Sequence, residues 1–160
     1  MSHSHALRAG DLRAAEAPGR LIIHGLGSCV AVFVYDPGTR IGGLAHILLP
    51  TAPPEPPDRP GRYAPTAVAT LLDETLKLGA HRSALLAKVT GGSRMFNLDG
   101  DAARRAIGER NIEAALQALE LARIAVIATD VGGDYGRTVE ADLADGGLTI
   151  KTVRGTPRLI

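Results

Sequence analysis

The chain has one cysteine, no tryptophan, and aromatic side chains at only 3% of its 160 residues. A single cysteine excludes any intramolecular disulfide framework and suits a reducing compartment. So few aromatics leave no platform for stacking bases or sugars. Charge of one sign is lacking too: 18 Lys and Arg against 17 Asp and Glu give a formal net charge of +1. No basic cluster offers a field for nucleic acid or an acidic membrane surface. No apolar run approaches the roughly twenty residues of a membrane span, and the opening Met-Ser-His-Ser-His is polar, without a signal-peptide core. The expectation is a cytoplasmic protein with no nucleic-acid partner and no direct membrane insertion. Length and a hydrophobic fraction of 45% fit one domain, residues 1–160, with a substantial core. Residues 1–18 read as a flexible N-terminal segment or an edge element.

What is present is unevenly placed. Cys29 sits in Gly25-Leu26-Gly27-Ser28-Cys29-Val30, and His46 ends the segment Gly42-Gly43-Leu44-Ala45-His46, seventeen residues later. A thiol becomes a strong nucleophile only as thiolate, and a nearby imidazole is the commonest base that makes it one. Val30 to Tyr35 is a β-branched and aromatic run of strand type, Asp36-Pro37-Gly38-Thr39 is turn chemistry, and Ile41 to Leu49 is apolar again. A four-residue loop between Tyr35 and Arg40 predicts an antiparallel hairpin with Cys29 directly opposite His46. The two then share a face, with Cβ atoms about 5 Å apart. A lone cysteine also serves as a small buried hydrophobe, and His46 between Ala45 and Ile47 also fits a core histidine. The glycine-rich lead-in favours the catalytic reading, because glycines let backbone approach a substrate and leave amides free to face an oxyanion. Zinc held by Cys29, His24 and His46 is a weaker alternative, with no clear fourth ligand.

Beyond the hairpin, residues Pro50 to Pro65 hold seven of the ten prolines and must form a surface loop. It leaves from the strand bearing His46, so it either borders the site or merely connects. Ala64 to Leu78 reads as a helix with Ala67, Leu71, Leu72 and Thr75 on one face, and Ile112 to Leu121 as part of a second. Ala84 to Thr90 reads as a strand running into Gly91-Gly92, Ile124 to Thr129 as another, and Thr138 to Asp142 with Leu148 to Val153 as a hairpin. His81 reads as a cation at a helix end, Arg94 and Arg137 as solvated surface arginines or, alternatively, as contacts for an acidic partner helix, and Asp130 and Asp134 as turn residues. Both faces of the Val30 strand are apolar, so a layer must cover each. The fold class expected is an α/β three-layer sandwich with a mixed, largely antiparallel sheet.

These segments together resemble the CheD family of chemoreceptor glutamine deamidases. The landmarks run in order: Gly25 to Val30, Gly43 to Pro50, Gly61-Arg62-Tyr63-Ala64, Gly91-Gly92, Met95-Phe96, Ile107 to Ile112, Asp130-Val131-Gly132-Gly133 and Gly136-Arg137. The resemblance spans about Leu21 to Val153. It implies a sandwich related to the catalytic domains of deamidating toxins, and hydrolysis of receptor glutamine side chains to glutamate with release of ammonia, alongside a methylesterase side activity. It implies Cys29 as nucleophile and His46 as base, with amides at Gly27, Ser28 and, less directly, Gly91 and Gly92 supporting an oxyanion, and no cofactor or metal. The implied partners are the cytoplasmic helices of methyl-accepting chemoreceptors and a CheC-type CheY-phosphate phosphatase. Two positions depart from the family pattern: Ile23 stands where the family carries Thr, and Pro65 where it carries Asp. The loss of that hydroxyl leaves the orientation of His46 to a backbone carbonyl, to Ser28 or to some other group. It also raises the alternative of a binding regulator of the phosphatase with little or no catalysis.

Overall fold

The computed structural model describes residues 3–95 and 102–160, without the side chains of residues 102–106. Of the landmarks above, Phe96 lies outside the described residues. The elements run β1 (His3–Ala6), β2 (Leu12–Glu16), β3 (Gly19–Leu26), β4 (Val30–Asp36), β5 (Ile41–Ile47), α1 (Ala64–Lys77), β6 (Leu86–Gly91), α2 (Ala102–Leu121), β7 (Ala125–Val131), β8 (Arg137–Asp142), β9 (Leu148–Lys151) and β10 (Arg158–Leu159). They build two five-stranded sheets, β1-β3-β8-β9-β10 and β2-β5-β4-β6-β7. Each sheet is mixed: β1 runs parallel to β3 and β6 parallel to β7, and the other pairs are antiparallel.

Side-chain alternation along β4 explains the layering. Val30, Val32 and Val34 pack with Ala67, Val68 and Leu71 of α1 and Ala115 and Leu119 of α2. Ala31, Phe33 and Tyr35 point the other way, onto Leu21 and Ile23 of β3 and Val139 and Ala141 of β8. The sequence is helices, sheet, sheet: an α/β sandwich of three layers in whose middle sheet β4 and β5 are buried on both faces. That is why β4 reads as an unbroken apolar run rather than an alternating one. Each fully buried side chain of this kind contributes about 1.5–3 kcal/mol. No helix among the described residues is long and apolar enough to cross a membrane.

The hairpin forms, but its register is shifted by two residues from the expectation. Ala31, not Cys29, lies opposite His46, and the pairing continues to Asp36 opposite Ile41. The reason lies in Asp36. Its carboxylate accepts the N–H of Gly38 at 2.9 Å and of His81 at 2.8 Å, which makes it the last strand residue rather than the first turn residue. Arg40 closes the loop in the left-handed region, at φ 57°, donating its N–H to the Asp36 carbonyl at 2.8 Å. An even shift keeps every side chain on its face. His46 therefore still points into the layer between the sheets, two positions along from the line of Cys29. His81 serves this turn rather than a helix end.

Candidate active site

His46 is held by the link between β1 and β2, which crosses from the edge of one sheet to the edge of the other. The backbone of this link clasps the peptide of His46 from both sides: His46 N–H donates to the Asp11 carbonyl at 2.9 Å, and Gly10 N–H donates to the His46 carbonyl at 2.8 Å. The imidazole Nδ1 lies 3.4 Å from the Leu7 carbonyl. A carbonyl only accepts, so the bond requires the Nδ1–H tautomer, which leaves the Nε2 lone pair free to take a proton. The group that orients His46 is thus a backbone carbonyl far away in sequence. Ile23 is fully buried among the inter-sheet side chains, and His24 beside it is exposed on the other face of β3, so His24 does not join Cys29 and His46.

Cys29 sits at the end of a bend, residues 27–29, that turns β3 into β4. Three consecutive carbonyls of this bend are each pinned by a different donor. Ser93 N–H donates to Gly27 O at 3.0 Å and Gly92 N–H to Cys29 O at 2.8 Å. Between them, the Asn111 side-chain amide donates to Ser28 O at 3.0 Å. The same Nδ2 donates to Leu48 O at 2.8 Å, tying the bend to the end of the strand that carries His46. In a trans peptide the N–H points opposite to the preceding carbonyl. Pinning Gly27 O and Ser28 O therefore turns the Ser28 and Cys29 amides the other way, and among the described residues neither donates to a backbone acceptor.

Of the two amides the sequence suggested as oxyanion support, that of Gly92 is taken up within the fold. The Gly92 N–H is already bound to Cys29 O, and the Gly91 carbonyl accepts from Gly132 N–H at 2.9 Å. A Cβ on Gly91 would lie 2.4 Å from Cys29 O, and one on Gly92, at φ +70°, would strike Ile112. Gly91 lets β6 approach the Cys29 backbone, and Gly92 lets α2 pack against the end of β6. Arg137, read from sequence as a surface residue, is 1% exposed. It donates to Ser93 Oγ at 2.7 Å and to Asp130 Oδ1 at 3.1 Å, and Asp130 also faces Arg158 at 3.1 Å. This buried cluster backs Ser93, and through it the bend. Arg94 pairs with Glu109.

Burial sets the resting protonation state. Desolvation pushes the Cys29 thiol up from its ordinary value, with no cation to counter it. His46 is pushed down, mainly by desolvation, against smaller opposing effects of the Leu7 carbonyl and the Asp11 carboxylate. Both shifts favour the neutral form of each side chain, thiol and imidazole. Three participants were not singled out from sequence. Leu7 acts through its backbone, which leaves no side-chain signal. Ser93 follows the glycine pair, and Asn111 is a polar residue on an otherwise apolar helix face, the one signal that pointed to it.

Comparison with known proteins agrees along the full chain. Residues 48–152 match the family described as CheD, chemotactic sensory transduction. A protein of Desulfitobacterium hafniense named probable chemoreceptor glutamine deamidase CheD is 40% identical over 160 residues, 100% of both chains. A protein of that name from Methanococcus vannielii is 41% identical over 91% of this chain and 92% of its own. One from Geobacter metallireducens, named probable chemoreceptor glutamine deamidase CheD 2, is 40% identical over 96% of each. This chain belongs to the CheD family.

Proposed function

We propose that the protein is a thiol-dependent protein-glutamine deamidase that acts on chemoreceptor cytoplasmic helices, in the cytoplasm. The observation that carries this reading is the bend at Cys29, where three pinned carbonyls leave the Ser28 and Cys29 amides without a backbone acceptor among the described residues, and Cys29 packs on the inter-sheet layer that His46 also faces. Full-length relatives carrying a glutamine deamidase name supply the substrate class. His46 Nε2 takes the thiol proton as Cys29 Sγ adds to the glutamine carboxamide carbon. The oxyanion then meets the amides of Ser28 and Cys29, with Gly27 shaping the approach. The imidazolium returns the proton to nitrogen, ammonia leaves, and a thioester remains. Water, deprotonated by His46, cleaves the thioester to free thiol and glutamate. Leu7 O steadies the imidazolium through Nδ1–H, the part a third residue plays in cysteine hydrolases. A methylesterase side activity uses the same attack on an ester carbonyl.

A second reading rests on Ile23 and on a thiol that burial keeps protonated: a binding regulator of a CheC-type CheY-phosphate phosphatase, with weak deamidation or none. One experiment separates the two. Receptor cytoplasmic fragments incubated with the protein should gain about 1 Da per converted glutamine, the mass difference between –NH₂ and –OH. The gain should disappear with Cys29→Ala and with His46→Ala. No gain with the unaltered chain, alongside tight phosphatase binding, establishes the regulator reading. A gain that survives Cys29→Ala overturns the thiol mechanism.

A further inference from the structure

We propose that Asp11 and Arg59 are positioning residues for His46, acting through the link between β1 and β2; the inference rests on His46 being the general base. The link is a tight turn. Arg8 N–H donates to Asp11 Oδ2 at 2.8 Å, and Asp11 N–H donates back to Arg8 O at 2.9 Å. The other carboxylate oxygen, Oδ1, accepts from Arg59 at 3.3 Å, and the same guanidinium nitrogen reaches Ala9 O at 3.4 Å. Arg59 belongs to the proline-rich loop, immediately before a single 3₁₀ turn, Pro60–Arg62. That turn lies hard against the link: a Cβ on Gly61 would fall 2.3 Å from Gly10 O, and one on Gly10, at φ +86°, would fall 2.9 Å from Arg62 Cγ.

The loop is itself anchored at the end of β5, since Leu48 and Leu49 donate their N–H groups to Arg62 O at 3.0 and 2.9 Å. A closed circuit results: β5 to the 59–62 segment, across to residues 7–11, and back to β5 through three hydrogen bonds to His46. The proline-rich loop is therefore more than a connector. It presses the Leu7 carbonyl into place against the base, with the Arg59 side chain, on Asp11 Oδ1 and Ala9 O, as its side-chain hydrogen-bond tie to the link among the described residues. Because both side chains are nearly half exposed, the pair adds little to global stability. Its removal should loosen His46 without unfolding the chain.

The test uses the full chain with ¹⁵N-labelled histidine, the His46 resonances being assigned by loss in His46→Gln. In the unaltered protein the ring should report a fixed Nδ1–H tautomer. Arg59→Ala should shift the ring toward tautomer averaging and lower kcat for receptor deamidation by about tenfold at unchanged KM. Its melting temperature should stay within about 2 °C, and Arg59→Lys should recover most of the rate. Asp11→Asn should show a smaller form of the same loss, because Oδ1 persists without its charge. An unmoved His46 tautomer together with unchanged kcat in Arg59→Ala and Asp11→Asn overturns the proposal. So does a rate loss that only tracks a lowered melting temperature. If instead the unaltered chain shows no deamidation dependent on Cys29 and His46, the general-base reading fails. The tautomer measurement still decides whether Arg59 orients the ring.

Discussion

The two ends of β4 show opposite uses of polar groups within one strand. At one end, Asp36 buries a carboxylate against the N–H groups of Gly38, Thr39 and His81. Desolvation pushes this carboxyl up, but the hydrogen bonds from His81, Thr39 and Gly38 outweigh it and hold the pKa at about 2. Just before the other end, Cys29 has its backbone pinned and its thiol without a stabilising partner among the described residues, so desolvation pushes it up and favours the protonated form. The first arrangement lowers the energy of a charge in the resting state. The second keeps the resting state neutral; in the proposed mechanism, stabilisation then comes only as charge develops during reaction.

Replacing the thiol should break that contrast most completely: Cys29→Ala should lower deamidation at least about a thousandfold, measured by mass shift, with secondary structure retained. Asn111→Leu comes next. It frees Ser28 O and Leu48 O at once, so the bend and the end of β5 lose their common tie. The expected result is a kcat loss of roughly 10- to 100-fold, with destabilisation of about 2–3 kcal/mol from unpaired buried carbonyls. An Asn111→Leu variant with unaltered kcat would show that the pinned carbonyl does not set the site.

Asp36→Ala should act the other way round, costing about 2–4 kcal/mol in denaturant melts while kcat per folded molecule holds. The acid behaviour follows from the sign of the shift. The folded pKa of about 2 lies below the ordinary 3.8, so this contribution is complete above about pH 4 and fades as pH falls toward 2. Acid unfolding of Asp36→Ala should lack that component.

The smallest effect is on the pH profile. With His46 pushed below its ordinary 6.5 and Cys29 above its ordinary 9.0, kcat/KM should be flat between those values. Its acid limb should fall below 6.5 and its alkaline limb above 9.0. An alkaline limb that falls within that window, as a raised imidazolium pKa gives, would mean the pair rests as an ion pair instead.

Much of this molecule was legible before its structure. The apolar runs at Val30–Tyr35 and Ile41–Leu49, the turn between them and the face of α1 follow from local propensity and period. Cys29 and His46 fall on one face because an even register shift cannot separate them. The strands β1 and β2 were not visible as strands. His-Ser-His-Ala and Leu-Arg-Ala-Ala-Glu carry no β pattern, and they pair only because β3 and β5 present free edges. Helix α2 extends back to Ala102 beyond the Ile112–Leu121 stretch read as part of it, since its first turns lack an apolar stripe. Arg137 read as surface because its partners Asp130 and Ser93 are brought to it by other strands.

The amino-acid sequence by itself determined the local alternatives: which stretches are strand or helix, where the chain turns, and which side chains are candidates for nucleophile and base chemistry. Tertiary structure decided what surrounds them. The Leu7 carbonyl reaches His46 across 39 positions, and Asn111 reaches Ser28 across 83. A backbone carbonyl is the same at every residue, so no residue identity marks the one that will face the imidazole. Only closure of the two sheets, driven by burial on both faces of β4, selects it.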